Sequence, residues 1–258
     1  AAFRALVLEP PSAGEIVDMM DGAVDPLHVH HARSRVVRSI ADALAPDLLR
    51  AYEQTNTSGE AYAWTPTAAG NRSLAARCVR FLIAQTDPAG RENALALAEA
   101  QFQRATNMSD SFSALGAMNN TPGPIRDRCM RKFLDKWGSD NNVVVKYFML
   151  ESTTDVEHNA ARLREIVDNA VLDVGAGTTD QDDGDGARSS VGRVARSFDV
   201  TIPNHVYALC RAFPSSYVNF HAQDGSGYRL LADWIVQVDA LNAQVGSRLA
   251  GPFTKWLS

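Results

Sequence analysis

Residues 224–257 read DGSGYRLLADWIVQVDALNAQVGSRLAGPFTKWL. In the first half Leu230, Leu231, Trp234, Ile235, Val238 and Leu241 recur at intervals of three and four, which places them on one face of a helix opened by Asp224. A second set follows at once with the same spacing: Val245, Leu249, Phe253, and Trp256 or Leu257. Two consecutive stripes of this kind predict two helices packed as an antiparallel pair.

The same pattern extends upstream. Proline at the first helical position costs no hydrogen bond, because that N–H has no partner inside the helix. Asp25-Pro26, Ala45-Pro46, Thr65-Pro66, Asp87-Pro88 and Ile202-Pro203 are read as five helix starts. After Asp25, the residues Val29, Ala32, Val36, Val37, Ile40 and Leu44 form a stripe expected to be buried. Ser109 or Asp110 is expected to cap a helix through Met118, with Gly123–Trp137 as its partner. The run Asn142–Leu150 has high β propensity, but no second segment of period two is available to pair with it, and it is read as a buried helix. Helices of this length joined by short Pro/Gly turns point to an all-α fold, a superhelical solenoid of antiparallel helix pairs more than a compact bundle.

The 258 residues carry 25 Lys+Arg against 30 Asp+Glu, a net charge of −5, which excludes a generic basic nucleic-acid binder. At 45% hydrophobic residues the chain can bury a large core, which excludes disorder throughout. Its apolar runs fall well short of the roughly 18 residues of a membrane span, so a soluble, cytoplasmic chain is expected. It begins AAFRALVL, without an initiator Met or a signal-peptide layout, and is read as a piece of something longer. Cys78, Cys129 and Cys210 are odd in number, far apart and in no CxxC spacing; they read as buried free thiols, not as a disulfide framework or a zinc site. Residues 1–258 are taken as one helical domain with an acidic disordered or surface loop near 174–190. The aspartates of that loop, Asp180, Asp182, Asp183 and Asp185, miss the spacing of a calcium loop.

Catalytic signals are sparse. The chain has no Gly-rich phosphate loop, no GxSxG elbow and no HExxH helix. His28, His30 and His31 read as polar first turns of a helix, since adjacent helical residues point about 100° apart and do not readily share an ion. In the stretch 220–228, FHAQDGSGY, the glycines permit a tight turn and Asp224 or Ser226 can cap the next helix. A catalytic pair of His221 and Asp224 would need a nucleophile that no recognisable elbow supplies, so capping is the preferred reading.

FHAQDGSGY, together with Asn242-Ala243-Gln244-Val245-Gly246-Ser247-Arg248-Leu249, resembles the end of the aminopeptidase N (alanyl aminopeptidase) family of zinc metallopeptidases, whose patterns there are close to FHAxDGSGY and NPQVASR. RCVRFL at 77–82, ATNMSD at 105–110, Lys136-Trp137 and Ile202-Pro203-Asn204 fall in the order expected for the same C-terminal region, so the likeness covers nearly the whole chain. The resemblance implies an all-helical, HEAT/ARM-like domain that caps the catalytic domain of the same polypeptide, encloses the active-site chamber and helps to bind the peptide substrate. Zinc in that family is held by an HExxH helix and a downstream Glu, and the substrate amine by acidic residues beside a GxMEN strand. None of these motifs occurs here, so no catalytic residue, metal ligand or cofactor is assigned to this chain. Zinc would belong to the catalytic domain of the parent enzyme, and the isolated chain should be inactive. Gln244 and Arg248 match positions that look into the chamber, and Tyr207 stands where related bacterial enzymes often carry an Arg; these three are the candidate substrate-binding residues. Arg248 suits the role because a guanidinium forms paired hydrogen bonds with a carboxylate. Ala243 in place of Pro and Gly246 in place of Ala are departures from the pattern. The alternative is a stand-alone helical-repeat module that binds a peptide or protein; no nucleic acid or membrane partner is expected on either reading.

Overall fold

The computed structural model describes residues 1–157, 159–176 and 198–255, and among them every regular element is helical. Contacts group the chain, read from sequence as one domain, into two compact units, Ala1–Cys129 and Met130–Ser258.

The first unit is built from α1 (Ala2–Val7), α2 (Ala13–Asp18), α3 (Pro26–Thr55), α4 (Pro66–Ile83), α5 (Pro88–Arg104) and α6 (Met108–Met118). Three of its starts follow the expected chemistry. Asp25 accepts from the N–H of Leu27, Thr65 from that of Ala68 and Asp87 from that of Gly90, each with proline next in sequence. Helix α4 sits at the centre, with Leu74, Cys78, Val79, Phe81, Leu82 and Ile83 buried and α1, α3, α5 and α6 packed around it. A helix that is apolar on most sides has to be surrounded, and each fully buried Leu, Ile or Phe contributes about 1.5–3 kcal/mol. Burial pushes the Cys78 thiol up to about 11, which leaves it protonated and inert at neutral pH.

Several expectations need correction here. Ala45-Pro46 does not start a helix: Pro46 lies inside α3, which runs through it for 30 residues. The buried Ala41, Leu48 and Tyr52 continue one face across the exposed proline, so packing outweighs the roughly 3 kcal/mol that an interior proline costs. That face is also not the stripe read from the sequence. Val29 is buried, but Val36 is 56% and Leu44 is 40% exposed. Asn107, not Ser109 or Asp110, caps α6; its side-chain oxygen accepts from the Asp110 N–H at 3.0 Å while its amide donates to the Asp110 carboxylate at 2.7 Å. Helix α6 packs on α4 and α5, and the Asn119 carbonyl at its end accepts from Arg126 of the segment that follows, expected as its partner. A buried polar chain ties these elements together: the Tyr52 hydroxyl donates to the Gln101 oxygen, and the Gln101 amide donates to the Asp110 carbonyl and the Ser113 hydroxyl.

Helix α7 (Pro124–Trp137) spans the boundary in sequence, and the second unit continues with α8 (Val144–Thr153), α9 (Asn159–Ala176), α10 (Pro203–Val206), α11 (Tyr217–Phe220), α12 (Ser226–Leu241) and α13 (Ala243–Leu249). The β-prone run at 142–150 is indeed a helix, with Val144, Tyr147, Phe148 and Leu150 buried. Helix α9 continues to Ala176, so the expected loop begins no earlier than residue 177. The four aspartates lie outside the described residues. The core of this unit is aromatic: Trp234 meets Phe213 edge to face at 5.5 Å, and Phe213 meets Phe220 at 5.9 Å. Inside it the Thr154 carbonyl accepts from the Ser216 hydroxyl and the Asn219 amide. The buried Glu151 carboxylate pairs with the Arg162 guanidinium at 3.1 Å. Among the described residues, no helix is long and apolar enough to cross a membrane.

His205 is fully buried between Phe148 and Phe198, and its Nδ1 accepts the Asp199 N–H at 3.1 Å. Burial holds its pKa below the ordinary value near 6.5, outweighing the Asn141 carbonyl and the Asp199 carboxylate, which favour the charged form. The unfolded chain therefore takes up this proton first as the pH falls, so the contribution of His205 to stability is intact above about 6.5 and declines below it. Urea midpoints at pH 7.5 and 5.5 should show a drop in the native chain and a smaller drop in His205→Asn, whose amide oxygen can still accept from Asp199; equal drops would show that His205 does not carry the effect.

Candidate functional site

The three residues singled out by sequence all lie in the second unit, and its folding explains where each falls. Helix α10 opens at Ile202-Pro203, and at Tyr207 the hydrogen-bond ladder widens. The Ala212 N–H reaches back five residues to the Tyr207 carbonyl at 3.2 Å, making one wide turn over Tyr207–Arg211. Val206, Leu209, Cys210 and Phe213 are buried along this segment, while Tyr207 is half-buried and Arg211 is exposed. The Ser152 hydroxyl donates to the Leu209 carbonyl inside the turn and anchors it to α8.

Arg248 arrives from the other end of the chain. Asn242 closes α12 by donating its N–H to the Val238 carbonyl at 2.7 Å and opens α13 by accepting from the Val245 N–H at 3.1 Å. Helix α13 therefore folds back on α12 with nothing between them. Val245 and Leu249 face inward, and Gln244, Ser247 and Arg248 face out. Helix α13 ends at Leu249 and a tighter turn over Gly251–Lys255 takes over, in which Phe253 of the same stripe is half-buried and lies 6.2 Å from the Phe220 ring; Trp256 and Leu257 lie outside the described residues.

The two segments meet at one hydrogen bond: an Arg248 guanidinium N–H donates to the Tyr207 hydroxyl at 3.1 Å. Gln244 lies one helical turn before Arg248 on the same exposed face, its side chain making no hydrogen bond to either residue. Arg211, which the sequence reading did not single out, places its guanidinium carbon 5.8 Å from the centre of the Tyr207 ring. Its position four residues after Tyr207 was the available signal. The arrangement is open to solvent, carries two positive side chains, and offers hydrogen-bond donors; it can hold an anion or a peptide carbonyl but supplies neither nucleophile nor general base.

Other candidates resolve as structural. His221 does not pair with Asp224: its Nδ1 lies 2.7 Å from the Tyr228 hydroxyl, and its ring stacks edge to face on Phe220. Asp224 instead accepts from the Ser226 N–H and hydroxyl region, which holds its carboxyl below the usual range. Gly225, not Asp224 or Ser226, occupies the cap position of α12, with φ of +71°. Gly227 packs directly against the backbone of Asn219 and Phe220, where no side chain fits. His28 is exposed beside Asp25. Among the described residues, no three His, Cys, Asp or Glu side chains come together as metal ligands would.

The family model described as "Domain of unknown function (DUF3458_C) ARM repeats" matches residues 1–176 and 178–258. Aminopeptidase N of Escherichia coli is 30% identical over 257 residues, covering 98% of this chain and 26% of the relative. Aminopeptidase N of Caulobacter vibrioides is 29% identical over 256 residues, covering 99% and 26%. In both cases the matched part is the C-terminal one, and the chain spans about a quarter of these curated relatives. A crystal structure of Legionella pneumophila aminopeptidase A in complex with aspartic acid superposes with a TM-score of 0.76 at 22% identity, covering 99% of this chain and 27% of that one, which shows a shared fold.

The two departures from the NPQVASR pattern now have physical counterparts. Ala243 is the first residue of α13, where proline fits equally well. Gly246 is pressed on α12: a Cβ there would lie 2.8 Å from Asp239 Cα. Gly246→Ala should therefore lower stability by about 1–3 kcal/mol, whereas Ala243→Pro should leave the urea midpoint near that of the parent; an unchanged midpoint in the first variant would mean that α12 and α13 separate freely.

Proposed function

The chain belongs to the family described as "Domain of unknown function (DUF3458_C) ARM repeats", and from that premise we propose that it is the helical, non-catalytic C-terminal part of a longer zinc-dependent aminopeptidase, one that removes N-terminal residues from peptides. In this reading it covers the chamber of the catalytic domain in the same polypeptide and contacts the peptide beyond the scissile bond. The observation that carries the reading is the convergence of Tyr207 and Arg248, 41 residues apart in sequence, at an exposed point of the second unit. The matched stretch of aminopeptidase N supports it. So does the first helix, where Phe3, Leu6 and Val7 are 77%, 72% and 67% exposed on an apolar face that a neighbouring domain would cover.

The division of labour follows from what each residue can do. Arg248 is permanently charged and presents a planar fork of donors, so it holds a carbonyl or carboxylate without taking part in proton transfer. Tyr207 receives one of those donors and fixes the direction of the fork. Gln244, one turn earlier, can donate to and accept from a peptide backbone at once. Zinc and the general base that activates water would reside in the catalytic domain; these residues orient the part of the peptide that is not cleaved.

Two measurements test this. The 258-residue chain, supplied with zinc, should not hydrolyse an alanyl anilide. In a polypeptide that joins it to its catalytic domain, Arg248→Ala should raise KM for a tetrapeptide about tenfold more than KM for the alanyl anilide, which does not reach the site; a charge-assisted hydrogen bond is worth about 1.5–3 kcal/mol. Hydrolysis by the chain alone, or equal effects on both substrates, would defeat the proposal. The rival reading, a free-standing repeat module, requires a mature protein with no catalytic domain attached.

A further inference from the structure

We propose that Arg211 is a second cation of the peptide site and that, with Arg248 and the Tyr207 hydroxyl, it takes the terminal carboxylate of a short peptide; this rests on the peptide-binding reading above.

Two observations carry it. The first is charge balance. Some arginines of this acidic chain are met by acids, Arg77 by Glu9, Arg128 by Glu99 and Arg164 by Asp233, and others end on backbone carbonyls, as Arg33 does on Pro11 and Arg104 on Ala100. At Tyr207 two guanidiniums gather on one ring, Arg248 at its hydroxyl and Arg211 over its face, and among the described residues neither pairs with a carboxylate. Bringing like charges to one ring without a counter-ion is unfavourable by itself, and a bound anion removes the penalty.

The second is the hydrogen-bond inventory. The Tyr207 hydroxyl accepts from Arg248, which leaves its own proton free to donate outward. The wide turn keeps Tyr207 and Arg211 on one side, so two forks and one hydroxyl are presented around one aromatic ring. That set matches a carboxylate, which accepts through two oxygens, better than a neutral amide, which has one. The positive charge that the resembling bacterial pattern carries at position 207 is thereby supplied from one turn further along.

The test is a titration of the 258-residue chain, followed by NMR, with tetra-alanine as the free acid, tetra-alanine amide, and Ala-Ala-Ala-Asp amide. The free acid should bind about tenfold more tightly than tetra-alanine amide. Arg211→Ala should reduce that preference to within about twofold, and Arg211→Lys should restore part of it through charge alone. Equal binding of acid and amide by the native chain, or an undiminished preference in Arg211→Ala, would overturn the assignment to Arg211 while leaving the peptide site standing. Ala-Ala-Ala-Asp amide binding as tightly as the free acid would show that any carboxylate is taken and would overturn the assignment to the terminus. If none of the three peptides binds, the underlying reading fails instead.

Discussion

Asn242 belongs to two helices at once, and the site depends on that economy. Its N–H completes the last turn of α12 on Val238, and its side chain satisfies the first turn of α13 at Val245. With no connecting residues to flex, the direction in which α13 departs is set by where α12 ends. Gly246 lets the two backbones approach at Asp239, and Val245 and Leu249 sink inward. The outward face, carrying Gln244 and Arg248, is then determined, and Arg248 meets Tyr207 as a consequence of packing.

Much of this was legible in the residues. Proline next to Asp25, Thr65 or Asp87 marks a helix start because capping is local chemistry that tertiary packing rarely overrides. In the stripe from Leu230 to Leu241, Leu230, Leu231, Trp234 and Val238 are buried because apolar spacing on a central helix has few ways to be satisfied, while Ile235 is half-buried and Leu241, at the last turn, is 46% exposed. Pro46 escaped the same logic: a long amphipathic face running from Ala41 to Tyr52 carries the helix past a residue that would end it in isolation. The burial of α3 was misplaced for a related reason, since a thirty-residue helix offers several plausible stripes and only its neighbours choose among them. The cap of α6 was misread by two or three residues because Asn107, Ser109 and Asp110 are all competent, and the mutual hydrogen bonds of Asn107 and Asp110, not separate propensities, settle the boundary.

The site was legible only in part. Gln244 and Arg248 share an exposed face, as four-residue spacing on a helix requires. Their proximity to Tyr207 could not be read from spacing, because it depends on the fold-back of α13 and on a turn that departs from the regular helical ladder. His221 and Asp224 show the converse. Three residues apart, they invite pairing, yet the left-handed Gly225 turns Asp224 toward Ser226 while the aromatic cluster draws His221 to Tyr228.

The wide turn at Tyr207–Arg211 carries one surplus residue relative to a regular helix. Removing a residue there would restore the four-residue ladder and turn the residues inside it by a fraction of a turn relative to the flanking helix. With Leu209 and Cys210 locked in the interior, that rotation would fall on Tyr207 or on Arg211, and the ring and the guanidinium would part. Length at this point is thus as much a determinant of the surface chemistry as side-chain identity, and relatives one residue shorter here would present a different face to the same surroundings.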